Sequence, residues 1–280
     1  MNGCPVQTDT SGWQASLQLG FERRGARTVL AHRLHRGPLG VQRAFYPEQG
    51  WPHVYILHPP GGVVGGDVLN IDVTLQAGAQ ALVTSPAAAK FYRSAGEQAQ
   101  LHQHLKLHGN AMLEWLPQET IYYSAAEVDA RTRVELDADS RFIGWDMFCL
   151  GRPAAGEGFT QGHISQRLEI WREGMPLWLE QAAFAGDGEM LDARWGMAGR
   201  ALAATLVAVG DTDGLAEQIH QQVSATEGDH FAVSQLDDVL VCRYLGTEAQ
   251  RARQCLASAW RIIRPQVMGR AACEPRVWNT

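Results

Sequence analysis

Leu69, Ile71, Val73 and Leu75 alternate with Asn70, Asp72 and Thr74, a period of two that puts the apolar residues on one face of a half-buried strand. The same alternation recurs over residues 101–107, 132–136 and 167–171, so residues 13–195 read as many short strands between turns. Helical periodicity is nearly absent there. Glycine-rich stretches at 151–162 and 186–188 punctuate the pattern, and an all-β body whose strands wind or stack in layers is expected.

After Arg200 the pattern changes. Residues 201–209 suit a buried strand, Leu215, Ile219 and Val223 fall at helical spacing behind Asp211-Thr212-Asp213-Gly214, and residues 239–244 return to strand. A clearer helix follows. Thr247 and Gln250 have the spacing of a capping box, Ala252, Leu256, Ala259, Trp260 and Ile263 make one apolar stripe, and Pro265 is expected to end the helix. Its other face carries Arg251, Arg253, Gln254 and Arg261, either a solvated face or a docking surface. The predicted fold class is mainly β, a helical or layered β-structure with two short C-terminal helices in an α/β end region. Residues 1–199 form the β-rich body, and 200–280 are expected to pack on it as one unit.

One turn stands apart. His58-Pro59-Pro60-Gly61-Gly62-Val63-Val64-Gly65-Gly66-Asp67 holds four glycines in six positions, which implies backbone angles or close approaches closed to residues with a Cβ. A phosphate cradle does not fit, because neither the Lys-Ser/Thr ending of a P-loop nor the G-x-G-x-x-G spacing is present. The turn opens a strand rather than a helix, so it also lacks the helix N-terminus that binds phosphate.

The charge balance, 24 Lys and Arg against 30 Asp and Glu for a net -6, argues against a nucleic-acid surface. Hydrophobic residues reach 45% and charged ones only 19%, which favours some apolar surface meant for another protein. Met1 to Gly12 shows no signal peptide, Cys4 is not placed as a lipoprotein cysteine, and residues 201–209 are too few to span a bilayer. The five cysteines are scattered without a C-x-x-C pair, as expected of reduced thiols in a cytoplasm.

No nucleophile elbow, H-E-x-x-H or kinase signature is present. His102, His104 and His108 share one strand face opposite Leu101, Leu105 and Leu107, but the first and last stand about 20 Å apart on an extended chain, and that face is the solvent side. Residues 142–150 are more informative, being apolar on both faces except for Asp146. A buried lone carboxylate costs several kcal/mol, so Asp146 needs a cation such as Arg152, a hydrogen-bond network or internal water. Glu180, after Pro176-Leu177-Trp178-Leu179, and Asp67 are the other carboxylates in apolar or glycine-rich surroundings. An enzyme using Asp67 or Asp146 as a base near His58, a lyase or hydrolase of small molecules, is the competing expectation.

Taken together, Pro60-Gly61-Gly62-Val63-Val64-Gly65-Gly66-Asp67, Ser85-Pro86-Ala87-Ala88-Ala89-Lys90-Phe91-Tyr92-Arg93-Ser94, Leu116-Pro117-Gln118-Glu119-Thr120-Ile121 and Cys149-Leu150-Gly151-Arg152 resemble the urease accessory protein UreD (UreH) family. Trp260-Arg261-Ile262-Ile263-Arg264-Pro265 and Pro275-Arg276-Val277-Trp278 are similar to that family's end, so the resemblance covers nearly the whole chain. It implies a helical β-structure and a non-catalytic cytoplasmic scaffold that joins UreF and the GTPase UreG to apo-urease and helps nickel reach the urease active site. It further implies an internal tunnel with transient nickel and no tightly bound cofactor. Asp67, Asp146 and Glu180 match its acidic residues. Arg251, Arg261, Arg264 and Pro265 would then belong to the UreF contact.

Overall fold

The two-residue periodicity resolves into strands of two sheets in the computed structural model, which describes residues 12–279; the stretch around Cys4 lies outside the described residues. The strands are β1 (Gln14–Arg24), β2 (Arg27–Arg36), β3 (Gly40–Val41), β4 (Phe45–Glu48), β5 (Trp51–Leu57), β6 (Val68–Leu75), β7 (Gln80–Thr84), β8 (Ala89–Phe91) and β9 (Ala99–Leu107). They continue as β10 (Met112–Leu116), β11 (Thr120–Tyr122), β12 (Ala126–Leu136), β13 (Arg141–Leu150), β14 (Gly162–Arg172) and β15 (Met175–Ala185). The C-terminal part adds β16 (Leu202–Val209), α1 (Leu215–Gln222), β17 (His230–Leu236), β18 (Val239–Gly246) and α2 (Ala249–Met268).

The chain alternates between sheets as it advances, with β6, β9, β12 and β14 in the first and β7, β10 and β13 in the second, each parallel to its neighbour. The result is a β-solenoid of about four turns. The first sheet runs β15-β14-β12-β9-β6-β1-β2 and the second β17-β18-β16-β13-β10-β7-β5-β3. A short ladder of β8, β11 and the end of β13 lies beside them. Antiparallel strands close the ends, β2 on β1 and β15 on β14 in the first sheet, β16 on β13 in the second.

This layering explains why some strands alternate and others are apolar throughout. The first sheet has one face in solvent, so β6 buries Leu69, Ile71, Val73 and Leu75 and leaves the residues between them partly exposed. The second sheet is covered on both sides. Phe142 and Leu150 of β13 face the first sheet, whereas Ile143, Trp145 and Met147 face a second core built with Leu256, Trp260 and Ile263 of α2. Because β16 pairs with β13 through eight residues, Leu202 to Val209, the C-terminal segment extends a sheet of the body.

Two local expectations about α2 give way. Its N-cap residue is Glu248, with no side-chain cap bond, so Thr247 and Gln250 form no capping box. The helix also passes through Pro265 to Met268. A proline costs a helix about 3 kcal/mol, but Val267 and Met268 are 0% and 3% exposed and continue the apolar stripe, and burying both offsets that cost. Gly269, at φ +69°, ends the helix instead.

Candidate functional site

The interior between the sheets is apolar except along one band. On the first sheet Gln103 of β9 is in register with Thr132 of β12, Thr132 with Leu168, and Leu168 with Glu180 of β15. On the second, Asp146 of β13 is in register with Thr205 of β16 and Thr205 with Arg243 of β18. Each polar residue interrupts an apolar phase, as Gln166 does between Ile164 and Leu168. They form short networks: the Thr132 hydroxyl donates to Gln103 Oε1 at 2.8 Å, and the Gln166 amide donates to the Tyr122 hydroxyl at 3.1 Å and to Asp146 at 3.3 Å.

A cavity of about 380 Å³ lies along part of this band: Asp146, Gln166, Tyr122, Gln103, Thr132 and His58 are among its lining residues, and Glu180, Thr205 and Arg243 lie beyond it. That volume has room for several waters; its walls are mostly apolar, and Asp146, Gln166, Tyr122, Gln103 and Thr132 are the polar patch at which waters would hydrogen-bond. Toward the glycine-rich turn it is bounded by Pro59, Gly61, Pro86 and Ala87, all exposed, so the cavity opens on that side. Within β13, Gly144 leaves room for the Phe142 ring, which a Cβ would meet at 2.3 Å.

Asp146 is enclosed by protein, and its residual exposure is to the cavity. Burial, aided by the nearby charge of Glu180, lifts its pKa to about 6. Arg152, the cation anticipated from sequence, is committed elsewhere, to Glu157. In the folded chain Asp146 keeps its proton to about pH 6, whereas an ordinary aspartate loses it near 4. The folded state therefore binds the extra proton, and its contribution to stability disappears as pH rises through that window. Asp146→Asn is expected to flatten the stability profile between pH ~4 and ~6 and to add about 1–2 kcal/mol at pH 7.5, less than the full shift implies because the buried amide carries a desolvation cost of its own. Urea unfolding across pH reads this directly, and an unchanged profile would refute it.

Glu180 lies beyond Asp146 toward the end of the solenoid. Its Oε1 is 3.2 Å from the Arg243 guanidinium and 3.4 Å from Thr205 Oγ1, and its Oε2 accepts the Trp178 indole N–H at 3.3 Å. Asp67 sits differently. Its carboxylate accepts the backbone N–H of Trp13 at 2.7 Å and of Val64 at 3.0 Å, which fixes the glycine-rich turn. That turn is pinned to β8 by a bridge from Val63 to Phe91, and a Cβ at Gly62 would stand 2.1 Å from the Tyr92 ring. Gly66 has φ +87°, so close approach and positive φ together account for the glycines. Burial lowers the pKa of His58 at the cavity wall, against the pull of Asp67. The structure thus brings Asp146 and Glu180 together, with Asp67 near the opposite, open side.

The outer face of α2 presents Arg251, Arg261 and Pro265, while Arg264 lies beneath it, fully buried. Helical geometry turns Arg264 inward beside Trp260 and Ile263, where its Nε donates to both oxygens of Glu114, at 2.9 and 3.1 Å. Its terminal nitrogens reach Glu48 at 2.6 and 2.9 Å. Arg251 pairs with Glu248 and Asp229, and Arg261 with Glu274. Glu48, His53 and Cys273 each offer a ligand atom within 4.8 Å of the others. Arg264 already occupies the Glu48 carboxylate and would repel a dication, so we read this group as part of an ion-pair network. On the solvent face, His102 meets Asn70 and His104 meets Glu135, each at 3.3 Å.

Sequence reading singled out Asp67, Asp146 and Glu180 but not Gln103, Thr132, Gln166, Thr205 and Arg243, which the registers place in the same polar band as Asp146 and Glu180. The available signal was a polar residue in the apolar phase of a strand, weak one strand at a time and plain once registers align.

The model of the UreD urease accessory protein family matches residues 14–279. The chain is 48% identical to the urease accessory protein UreD of Azoarcus sp. (strain BH72) over 96% of its length and 95% of the relative's. It is 44% identical to that of Pseudomonas fluorescens (strain Pf-5), covering 97% and 96% of the two chains. Against the Enterobacter sp. (strain 638) protein it is 41% identical over 100% of both. No helix among the described residues is long and apolar enough to cross a membrane.

Proposed function

The chain belongs to the UreD urease accessory protein family, and within that family's non-catalytic role in nickel-dependent urease maturation we propose that it is a cytoplasmic scaffold linking UreF and the GTPase UreG to apo-urease and passing nickel through its interior. Family membership displaces the reading of Asp67 or Asp146 as the base of a lyase or hydrolase.

The observation that supports the passage most is Asp146, the one carboxylate in the apolar run 142–150, facing a cavity and without a cation among the ion pairs of the described residues. Above its pKa of about 6 it is mostly ionised, and cavity water makes that tolerable. Chemistry favours such a lining. Imidazole and thiolate bind nickel tightly, and release from a nanomolar site must overcome about 12 kcal/mol against roughly 4 for a millimolar one. Cys149 and Cys242 lie in the core under α2, on the other face of the second sheet, and no cysteine is among the described residues lining the cavity. Sparse carboxylates and water let an ion leave as readily as it arrives. Asp146 and Glu180 are the inner groups of the path in this reading, and Asp67 shapes its other end. Nickel is cargo, held transiently. For UreF, the proposed contact is the exposed face of α2 with Arg251, Arg261 and Pro265, and Arg264 fixes that helix from below.

The test is the nickel content and activity of urease purified from cells with a complete urease gene set, with and without this chain. Urease lacking nickel without the chain and loaded with it is expected; normal metallation in its absence would overturn the proposal.

A further inference from the structure

We propose that the Arg243 guanidinium is a displaceable counter-ion on the outer carboxylate of the internal band, so that a divalent cation reaches Glu180 only by exchanging with it; this rests on the passage reading and adds a residue to it. Register puts Asp146, Thr205 and Arg243 on one face of the second sheet, aimed at the first. Glu180 meets them from the first sheet, receiving Arg243 at 3.2 Å and Thr205 at 3.4 Å. Arg243 also lies over the Trp178 ring, 5.5 Å from its centre, while Trp178 donates to the other Glu180 oxygen. The band thus ends in a cation held by a carboxylate and an aromatic face.

The two acids are treated unequally. Asp146, on the cavity, has the Gln166 amide as its side-chain partner, whereas Glu180 is neutralised by arginine. Arginine stays charged at any pH the protein meets, so a dication approaching Glu180 meets repulsion rather than a vacant ligand. The side chain of Arg243 is 55% exposed, and an ion pair so open to solvent holds its partners weakly. It can be exchanged without disturbing the core, unlike Arg264, whose side chain is 0% exposed. With the guanidinium gone, the Glu180 carboxylate is open to the ion and the charge of Asp146 nearby adds to its attraction, so the dication binds more tightly.

Equilibrium dialysis of the full chain against nickel chloride at pH 7.5 tests this. Arg243→Gln is expected to tighten nickel binding about tenfold, a coupling typical of groups in direct contact. Arg243→Lys keeps the charge and should bind as the parent does. The double variant Arg243→Gln, Glu180→Gln should fall back to the affinity of Glu180→Gln alone. Equal binding by Arg243→Gln and the parent, or tightening that survives in the double variant, would overturn the assignment. Dialysis reads binding alone, so its failure is distinct from failure of the passage reading, which urease nickel in cells carrying Asp146→Leu decides separately.

Discussion

Arg264→Met is expected to destabilise the fold by about 3–5 kcal/mol, because it leaves the Glu114 carboxylate buried without its cation. Glu114 is 0% exposed on the middle of β10, and among the described residues only Arg264 and the Trp260 indole N–H, at 2.7 Å, reach its side chain. Burial raises the pKa of Glu114 even against the help of Arg264 and Trp260, so the carboxylate is already costly to ionise there. Glu48 is the opposite case: burial pushes its pKa up, but hydrogen bonds from His53 and Arg264 outweigh that and leave it lowered. Arg264 also stacks near Trp51 and Trp260, so the methionine loses planar contacts as well as charge. The loss is a large share of the ~5–15 kcal/mol that holds a protein of ordinary stability. Urea unfolding measures it. The double variant Glu114→Gln, Arg264→Met should recover part of the loss, since it removes the stranded charge together with its partner. A change below about 1 kcal/mol for Arg264→Met would show that the network does not anchor α2.

Asp146→Leu is expected to reduce nickel in urease about tenfold or more while the complex with partner proteins still assembles. In the passage reading, leucine replaces the carboxylate by an apolar group on the cavity, so an ion crossing that level loses its charged ligand. An added barrier of only ~1.4 kcal/mol already slows passage tenfold. The fold should tolerate the change, because Phe142, Phe148 and Leu150 show that apolar residues suit that face of β13. Urease nickel by elemental analysis, set against the yield of co-purified complex, separates the two effects. If nickel and assembly fall together, Asp146 is structural.

The sequence by itself determined the strands and the character of their faces. Alternation in β6 reports one dry and one wet face, and the continuous apolar run of β13 reports a strand covered on both sides; both are local consequences of a two-residue period. It also marked Asp146 as anomalous, since a carboxylate in such a run needs compensation wherever the strand goes. Local rules failed where tertiary packing opposed them. Pro265 reads as a helix end, yet burial of Val267 and Met268 carries α2 past it. Arg264 reads as one more cation beside Arg261, yet it is turned inward, toward a carboxylate 150 residues earlier in the chain. Only the tertiary structure decided which strands are neighbours, and therefore that Gln103 and Thr132 share one register row, that Asp146, Thr205 and Arg243 share another, and that Glu180 closes the gap between sheets. The reason is physical: a side chain's face is set by its own strand's period, but its partners are set by how the solenoid winds, which no single strand encodes.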